Sequence, residues 1–346
     1  MVSLKFYKSV FISIALLSFF SLLYQEIIET KFKLNLRAVS SMTDNKIPSQ
    51  EWLKEQLNLF YDELYSTYQP PSDWIHISVN QTYYFPNINI IFTGIPKTGC
   101  SHWKELFLQA EGVLQGRLEY LPDVHRELSF PYRLSNFAKI WNGKYDDKIN
   151  TATSIVALRN PWVRAVSGYR QKLSSEKTQG NILPKLQLAI LQSERDIAHI
   201  PLKKLLRLIE TGKESPTFEE YVRCTVKGHE DIMTDPHFMP QHTFLSVNKV
   251  RYDYILPMEY AEQMSTQFFK KVGIDISLPG SYDRETDPRL QTSVVKAREL
   301  FSALGKELVD EFYELYKWDF KLLGYSNFSD PNFPFPNSYC DSENDK

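Results

Sequence analysis

Apolar and polar positions change rhythm several times along the chain. Val10 to Tyr24 (VFISIALLSFFSLLY) carry no charge, with Lys5 and Lys8 ahead of them and Gln25 and Glu26 behind. Extended by Phe6 and Tyr7 on one side and Ile27 and Ile28 on the other, the run reaches the length of a bilayer span, with Lys8 snorkelling. No small-x-small cleavage site follows, so the pattern predicts an uncleaved signal-anchor over 9–28 rather than a removed leader. The lysines place residues 1–8 in the cytosol and the remainder in the lumen. Residues 29–47 are polar and aperiodic, as in a stem. Ser49 then caps a helical pattern with Leu53, Leu57, Phe60, Tyr61 and Leu64 on one face, stopped by Pro70-Pro71. This helix could belong to a stem (29–73) or dock on the body.

Further on, the rhythm turns to strands and helices. Asn87 to Thr93 and Thr153 to Leu158 are short β-branched, apolar runs, each followed directly by a helical pattern. Two such strand–loop–helix units predict a parallel α/β sheet flanked by helices. Thr217 and Glu220 form a capping box that opens a helix to Lys227. A short strand over Tyr252–Leu256, a helix over Glu259–Lys271 and helical sequence from Gln291 to Leu323 follow. The stretch 171–216 offers little to recognise, and the Pro-, Asn- and Ser-rich tail 329–346 is irregular. The globular body is therefore expected over 74–328.

Composition narrows the function classes. The 346 residues carry 40 basic and 42 acidic side chains, a net charge of -2, which excludes a strongly cationic nucleic-acid binder but not a local anion site. The three cysteines, Cys100, Cys224 and Cys340, are too few for a disulfide scaffold or a four-thiolate zinc site. Sequons at Asn80 and Asn327 agree with a lumenal body.

Two segments carry the candidate chemistry. The first strand runs into Thr93-Gly94-Ile95-Pro96-Lys97-Thr98-Gly99-Cys100-Ser101-His102-Trp103-Lys104. Gly94 and Gly99 have phosphate-loop spacing, but Cys100 stands where a nucleotide kinase needs lysine, and Lys97 lies inside the loop. The N–H groups of such a loop, a helix start and one lysine surround an anion. The second strand runs into Arg159-Asn160-Pro161, with Ser167 two turns into the next helix. Asn160 is a helix cap and Pro161 a first helical residue, so Arg159 sits at the strand's carboxyl end, where a guanidinium and a hydroxyl can hold a second phosphate.

Taken in order, PKTGCSHWK and RNPWVRAVSGYRQK resemble the 5′-phosphosulfate loop and 3′-phosphate segment of Golgi carbohydrate sulfotransferases. Phe218 to Val222, Tyr252 to Ile255 and Tyr313 to Phe320 resemble later segments of the chondroitin/dermatan and HNK-1 type branch, so the likeness spans roughly 88–325. His102 and Asn160 depart from that pattern. The resemblance implies a sulfotransferase fold, a P-loop-like parallel sheet. It implies 3′-phosphoadenosine 5′-phosphosulfate as donor, a glycan acceptor, no metal, and a Golgi membrane location.

On the same footing Pro96, Lys97, Thr98, Gly99, Cys100 and Ser101 would hold the 5′ end and Arg159 and Ser167 the 3′-phosphate. Lys97 would neutralise charge on the leaving oxygen. His125 is the expected base for the acceptor hydroxyl, with Glu127 and His102 competing. His237 and His242 flank a segment whose Pro236 and Pro240 break any helix, so they predict a loop near the acceptor or the core rather than a zinc site. A glycosyltransferase would share the topology, but no Asp-x-Asp pair holds a sugar nucleotide in the body. A glycan-binding protein without catalysis would not need both anion motifs.

Overall fold

A computed structural model describes residues 47–67, 80–113, 128–136, 151–174, 183–245, 252–274 and 288–325. The expected anchor, the residues of the stem before Ile47, His125, Glu127, Asn327, Cys340 and the tail lie outside these residues. Among the described residues no helix is long and apolar enough to cross a membrane.

Four strands form one sheet in sequence order: β1 (Thr82–Phe85), β2 (Ile90–Thr93), β3 (Thr153–Leu158) and β4 (Tyr254–Pro257). β2, β3 and β4 are parallel, as the strand–loop–helix pattern requires, while β1 pairs antiparallel with β2 at the edge. The first apolar run is shorter than its sequence suggested. Its opening residues form a tight turn with Asn89 at φ 50°, and the Glu111 carboxylate accepts from the N–H groups of Asn87 and Ile88. An Asn in a turn tolerates that left-handed backbone at little cost.

The helices follow from local signals. α1 (Gln50–Thr67) buries Leu53, Leu57, Phe60, Tyr61 and Leu64, and Ser49 Oγ accepts from Trp52 N at 3.2 Å. It docks on the sheet: the Gln50 side chain donates to the Ile255 carbonyl at 2.9 Å and accepts from the Ile255 N–H at 2.8 Å. α2 (Cys100–Ala110) follows β2, and α3 (Pro161–Lys172) follows β3 with Asn160 Oδ1 accepting from Trp162 N. α4 (Pro184–Glu194) and α5 (Leu202–Glu210) occupy the stretch that read as featureless and share a small core of Leu191, Leu205 and Ile209. α6 (Phe218–Val226) opens on the expected capping box, both halves of which are made. Then come α7 (Ala261–Val272), α8 (Pro288–Ser302), α9 (Lys306–Leu315) and α10 (Lys317–Leu322).

Two aromatic cores hold this frame. Tyr83, Phe92, Ile155 and Tyr254 stand in one register row, so they share a face of the sheet. There Phe92 meets Phe107 of α2 at 5.1 Å and Tyr254 meets Phe268 of α7 at 4.8 Å. The second core gathers around the fully buried Trp162 of α3, which contacts Phe301 of α8, Phe312 of α9 and Phe320 of α10. Each helix after a strand is thus anchored by an aromatic cluster, which fixes the loops at the carboxyl ends of β2 and β3.

Candidate functional site

β2 and β3 are parallel neighbours, so the loops leaving them emerge side by side. In the first loop Lys97 and Gly99 both take left-handed backbone, at φ 73° and 77°. The conformation is costly for lysine and free for glycine. Thr98, fully buried, ties the turn by donating from Oγ1 to the Ile95 carbonyl at 2.8 Å. A Cβ on Gly99 would come within 2.5 Å of Met258 Sδ, the end of a flexible side chain that can move, so it is the left-handed backbone that calls for glycine. The buried Trp103 Nε1 beneath this loop has no hydrogen-bond partner among the described residues. Lys97 Nζ reaches across to Gln171 Oε1 on α3 at 2.6 Å.

The second loop is knitted to the first. Arg159 Nη1 donates to the Lys97 carbonyl at 3.1 Å. Its own backbone is clamped by Gln241, whose Oε1 accepts from Arg159 N and whose Nε2 donates to Arg159 O. Gln241 is set in turn by Asp319, fully buried, which accepts from the N–H groups of Gln241 and His242 and contacts His242 Nδ1 at 2.8 Å. Glu259 accepts from Asn160 N at 2.8 Å and from Tyr325 OH at 3.0 Å. Burial raises the Glu259 carboxyl, opposed in part by those bonds and by the Arg159 charge.

Arg164 joins backbone from two loops. Its guanidinium donates from Nε to the Pro96 carbonyl at 3.0 Å, from Nη1 to Met239 at 2.7 Å and from Nη2 to Pro236 at 3.2 Å. One buried fork therefore binds the loop between β2 and α2 to the loop 235–240. That loop also lies on α3 at Gly168, where a Cβ would stand 3.0 Å from Phe238 Cε1 and 3.4 Å from the His237 carbonyl.

Lys97 feels the positive charges of Arg159, Lys172 and Arg164. Burial, reinforced by the Arg159 charge, pulls the Lys97 amine down to about 7. An anion arriving here would restore the ammonium and neutralise the cluster. His102 stands in the first turn of α2. It is buried against Trp103 at 5.5 Å, and burial lowers its imidazole to about 4. Cys100 and Cys224 are buried free thiols. No group of three metal-ligating side chains lies together among the described residues.

The expected residues Pro96, Lys97, Thr98, Gly99, Cys100, Ser101 and Arg159 are thus brought together. Ser167 lies half-buried in the second turn of α3, one residue before the buried Gly168. Gln171, Gln241, Asp319 and Glu259 support the site without having been singled out. Their bonds span 74 to 99 residues of chain, apart from the Tyr325 bond at 66, and no local pattern announces them. Arg164 was visible as a second arginine five residues after Arg159, which could have marked it.

With this geometry in hand, likeness to known proteins becomes informative. A sequence model described as the sulfotransferase family matches residues 80–326. Carbohydrate sulfotransferase 9 of Homo sapiens is 22% identical over 293 residues, 83% of this chain and 63% of that protein. Carbohydrate sulfotransferase 11 of Rattus norvegicus is 24% identical over 265 residues, 74% of this chain and 68% of that protein. Carbohydrate sulfotransferase 8 of Mus musculus is 24% identical over 245 residues, 70% of this chain and 55% of that protein. The chain therefore spans roughly half to two thirds of the length of these relatives. No solved structure matches.

Proposed function

The chain belongs to the sulfotransferase family, and from that premise we propose that it transfers a sulfuryl group from 3′-phosphoadenosine 5′-phosphosulfate to a hydroxyl of a glycan. The observation that carries this reading is the bond from Arg159 to the Lys97 carbonyl, which holds two cationic strand–helix junctions as one unit. A donor with separate 5′ and 3′ anionic groups needs two such junctions side by side. A nucleoside triphosphate would need only the first.

In this scheme the N–H groups from Thr98 to Ser101 and the start of α2 cradle the 5′-phosphate. Arg159 and Ser167 hold the 3′-phosphate. Lys97, poised at about 7 without ligand, gains its full charge beside the donor and counters the charge growing on the oxygen between phosphorus and sulfur. As in phosphoryl transfer, positioning and charge stabilisation supply most of the rate. The acceptor is read as a glycan because the matched relatives are named carbohydrate sulfotransferases.

We further infer that residues 9–28 anchor the chain in the Golgi membrane with the body lumenal. The exposed Asn80 supports this as an available glycan site. The functional reading is tested by incubating the full chain with labelled donor and a panel of chondroitin, dermatan and glucuronylated N-acetyllactosamine acceptors, with and without chelator. Chelator-insensitive sulfate transfer is expected. Transfer of a sugar, or donor binding without turnover, would replace the reading with a glycosyltransferase or a glycan-binding protein.

A further inference from the structure

A sulfuryl acceptor must lose a proton, and the histidine expected for this from sequence, His125, lies outside the described residues. The described histidines can be compared directly. His102 and His242 are buried, and His242 is locked to the fully buried Asp319. His229 faces Asp231 at 3.8 Å and His199 is exposed, and neither has a described bond to the phosphate loop or to a residue that holds it. His237 differs from all of these. Pro236, immediately before it, and Pro96, immediately before Lys97, give their carbonyls to the same Arg164 guanidinium. Two residues tied to one planar fork are close neighbours by construction.

His237 is also built like a base. Its side chain is 29% exposed, so it is open to solvent. Asp235 Oδ1 accepts from His237 N at 2.8 Å and contacts Nδ1 at 2.8 Å. That bond fixes the proton on Nδ1 and leaves Nε2 as the accepting atom. A carboxylate that orients an imidazole toward a hydroxyl is the arrangement general-base chemistry uses.

We propose that His237, oriented by Asp235 and held beside Lys97 by Arg164, is the general base that deprotonates the acceptor hydroxyl. The inference rests on the sulfotransferase reading above. In the step, Nε2 takes the hydroxyl proton as the acceptor oxygen forms its bond to sulfur. The bond from sulfur to the bridging oxygen breaks, and its electron pair stays on the 5′-phosphate beside Lys97. Adenosine 3′,5′-bisphosphate and a sulfated glycan result, and the imidazolium returns its proton to solvent.

The surrounding charges suit the role. Burial lowers the His237 imidazole, Asp235 opposes that, and Lys172 and Lys97 lower it further, so the ring is neutral and able to accept at neutral pH. Burial works to raise the Asp235 carboxyl, but the bonds from His237, together with the His237 and Lys172 charges present at the acidic pH where a carboxyl titrates, outweigh it and keep it ionised.

The test uses the full chain with His237→Gln and Asp235→Asn, read by kcat against pH, calorimetric binding of adenosine 3′,5′-bisphosphate, and thermal melting. His237→Gln should lower kcat by about 10²- to 10⁴-fold and erase the acidic limb of the profile, with bisphosphate affinity and melting unchanged. Asp235→Asn removes the group that holds the imidazole pKa up, so the acidic limb should move to lower pH and kcat should fall less. Near wild-type kcat with an intact limb in His237→Gln overturns the assignment while the functional reading stands. Lost bisphosphate binding in that variant also overturns it, making His237 a structural part of the donor site. A wild-type chain that transfers no sulfate overturns the functional reading and this assignment with it.

Discussion

Replacing Arg164 with lysine keeps the positive charge and removes the planar fork. The arginine makes three bonds to main-chain carbonyls, at 3.0, 2.7 and 3.2 Å, on two loops. An ammonium on a shorter stem serves one of those carbonyls well and leaves the other two without a donor. Hydrogen bonds to charged groups are worth about 1.5–3 kcal/mol each, so two lost bonds cost about 3–6 kcal/mol. Against a total stability of about 5–15 kcal/mol that is a large fraction. Melting should fall by about 10 °C for a body of this size. Activity should fall further than stability, because the loop bearing Lys97 is no longer tied to the loop at 235–240. A misplacement of about 1 Å at reacting groups costs about 10²-fold in rate. The assay is a thermal melt beside kcat, measured well below the variant's melting point. Melting within about 2 °C of wild type, with kcat unchanged, would refute the claim that one guanidinium holds the site together.

Three further outcomes follow from the charges at the junctions. Lys97→Ala should remove about 3 kcal/mol of transition-state stabilisation, about 10²-fold in kcat, with folding retained, and single-turnover rates measure it. Arg159→Ala should weaken adenosine 3′,5′-bisphosphate about 10- to 100-fold in calorimetry, as expected for one charged hydrogen-bonding partner. Adenosine 5′-phosphate, lacking the 3′ group, should lose much less, and equal losses would refute the 3′ assignment. Because the free Lys97 amine titrates at about 7 and a bound anion favours its charged form, bisphosphate affinity should be greatest near pH 7, since below it the ligand's own phosphates, with second pKa values of about 6, take up protons. Above it affinity should fall by up to about tenfold per pH unit, with proton uptake on binding, until the amine of the complex itself titrates. Affinity unchanged from pH 7 to 9 would show that Lys97 does not face the ligand.

The parts of the fold that were legible in sequence are those with a local cause. The five apolar positions of α1, the cap at Asn160 with Pro161, the capping box at Thr217 and the whole of β3 stand where periodicity and side-chain chemistry put them. β1 escaped because Thr82–Phe85 is only four residues and pairs antiparallel across a turn. α4 and α5 escaped although Leu186, Ile190 and Leu191, then Leu205 and Ile209, keep helical spacing, since polar residues interrupt each short run. At the site, the residues proposed to hold the donor sit in recognisable loops. The residues that aim them do not, because Gln241, Asp319 and Glu259 act over 77 to 99 residues of chain on Arg159, His242 and Asn160.

The docking of Gln50 on Ile255 has a practical meaning for anyone shortening the protein. Among the described strands β4 is an outer one, and its rim would offer main-chain groups to any passing β-segment. An amide side chain from α1 occupies that rim as a surrogate strand one residue long. A fragment trimmed to the 80–326 stretch that matches the family would strip this guard and bare the apolar bed beneath it. Material cut that way should clump, whereas a cut placed before Ile47 keeps the rim sealed.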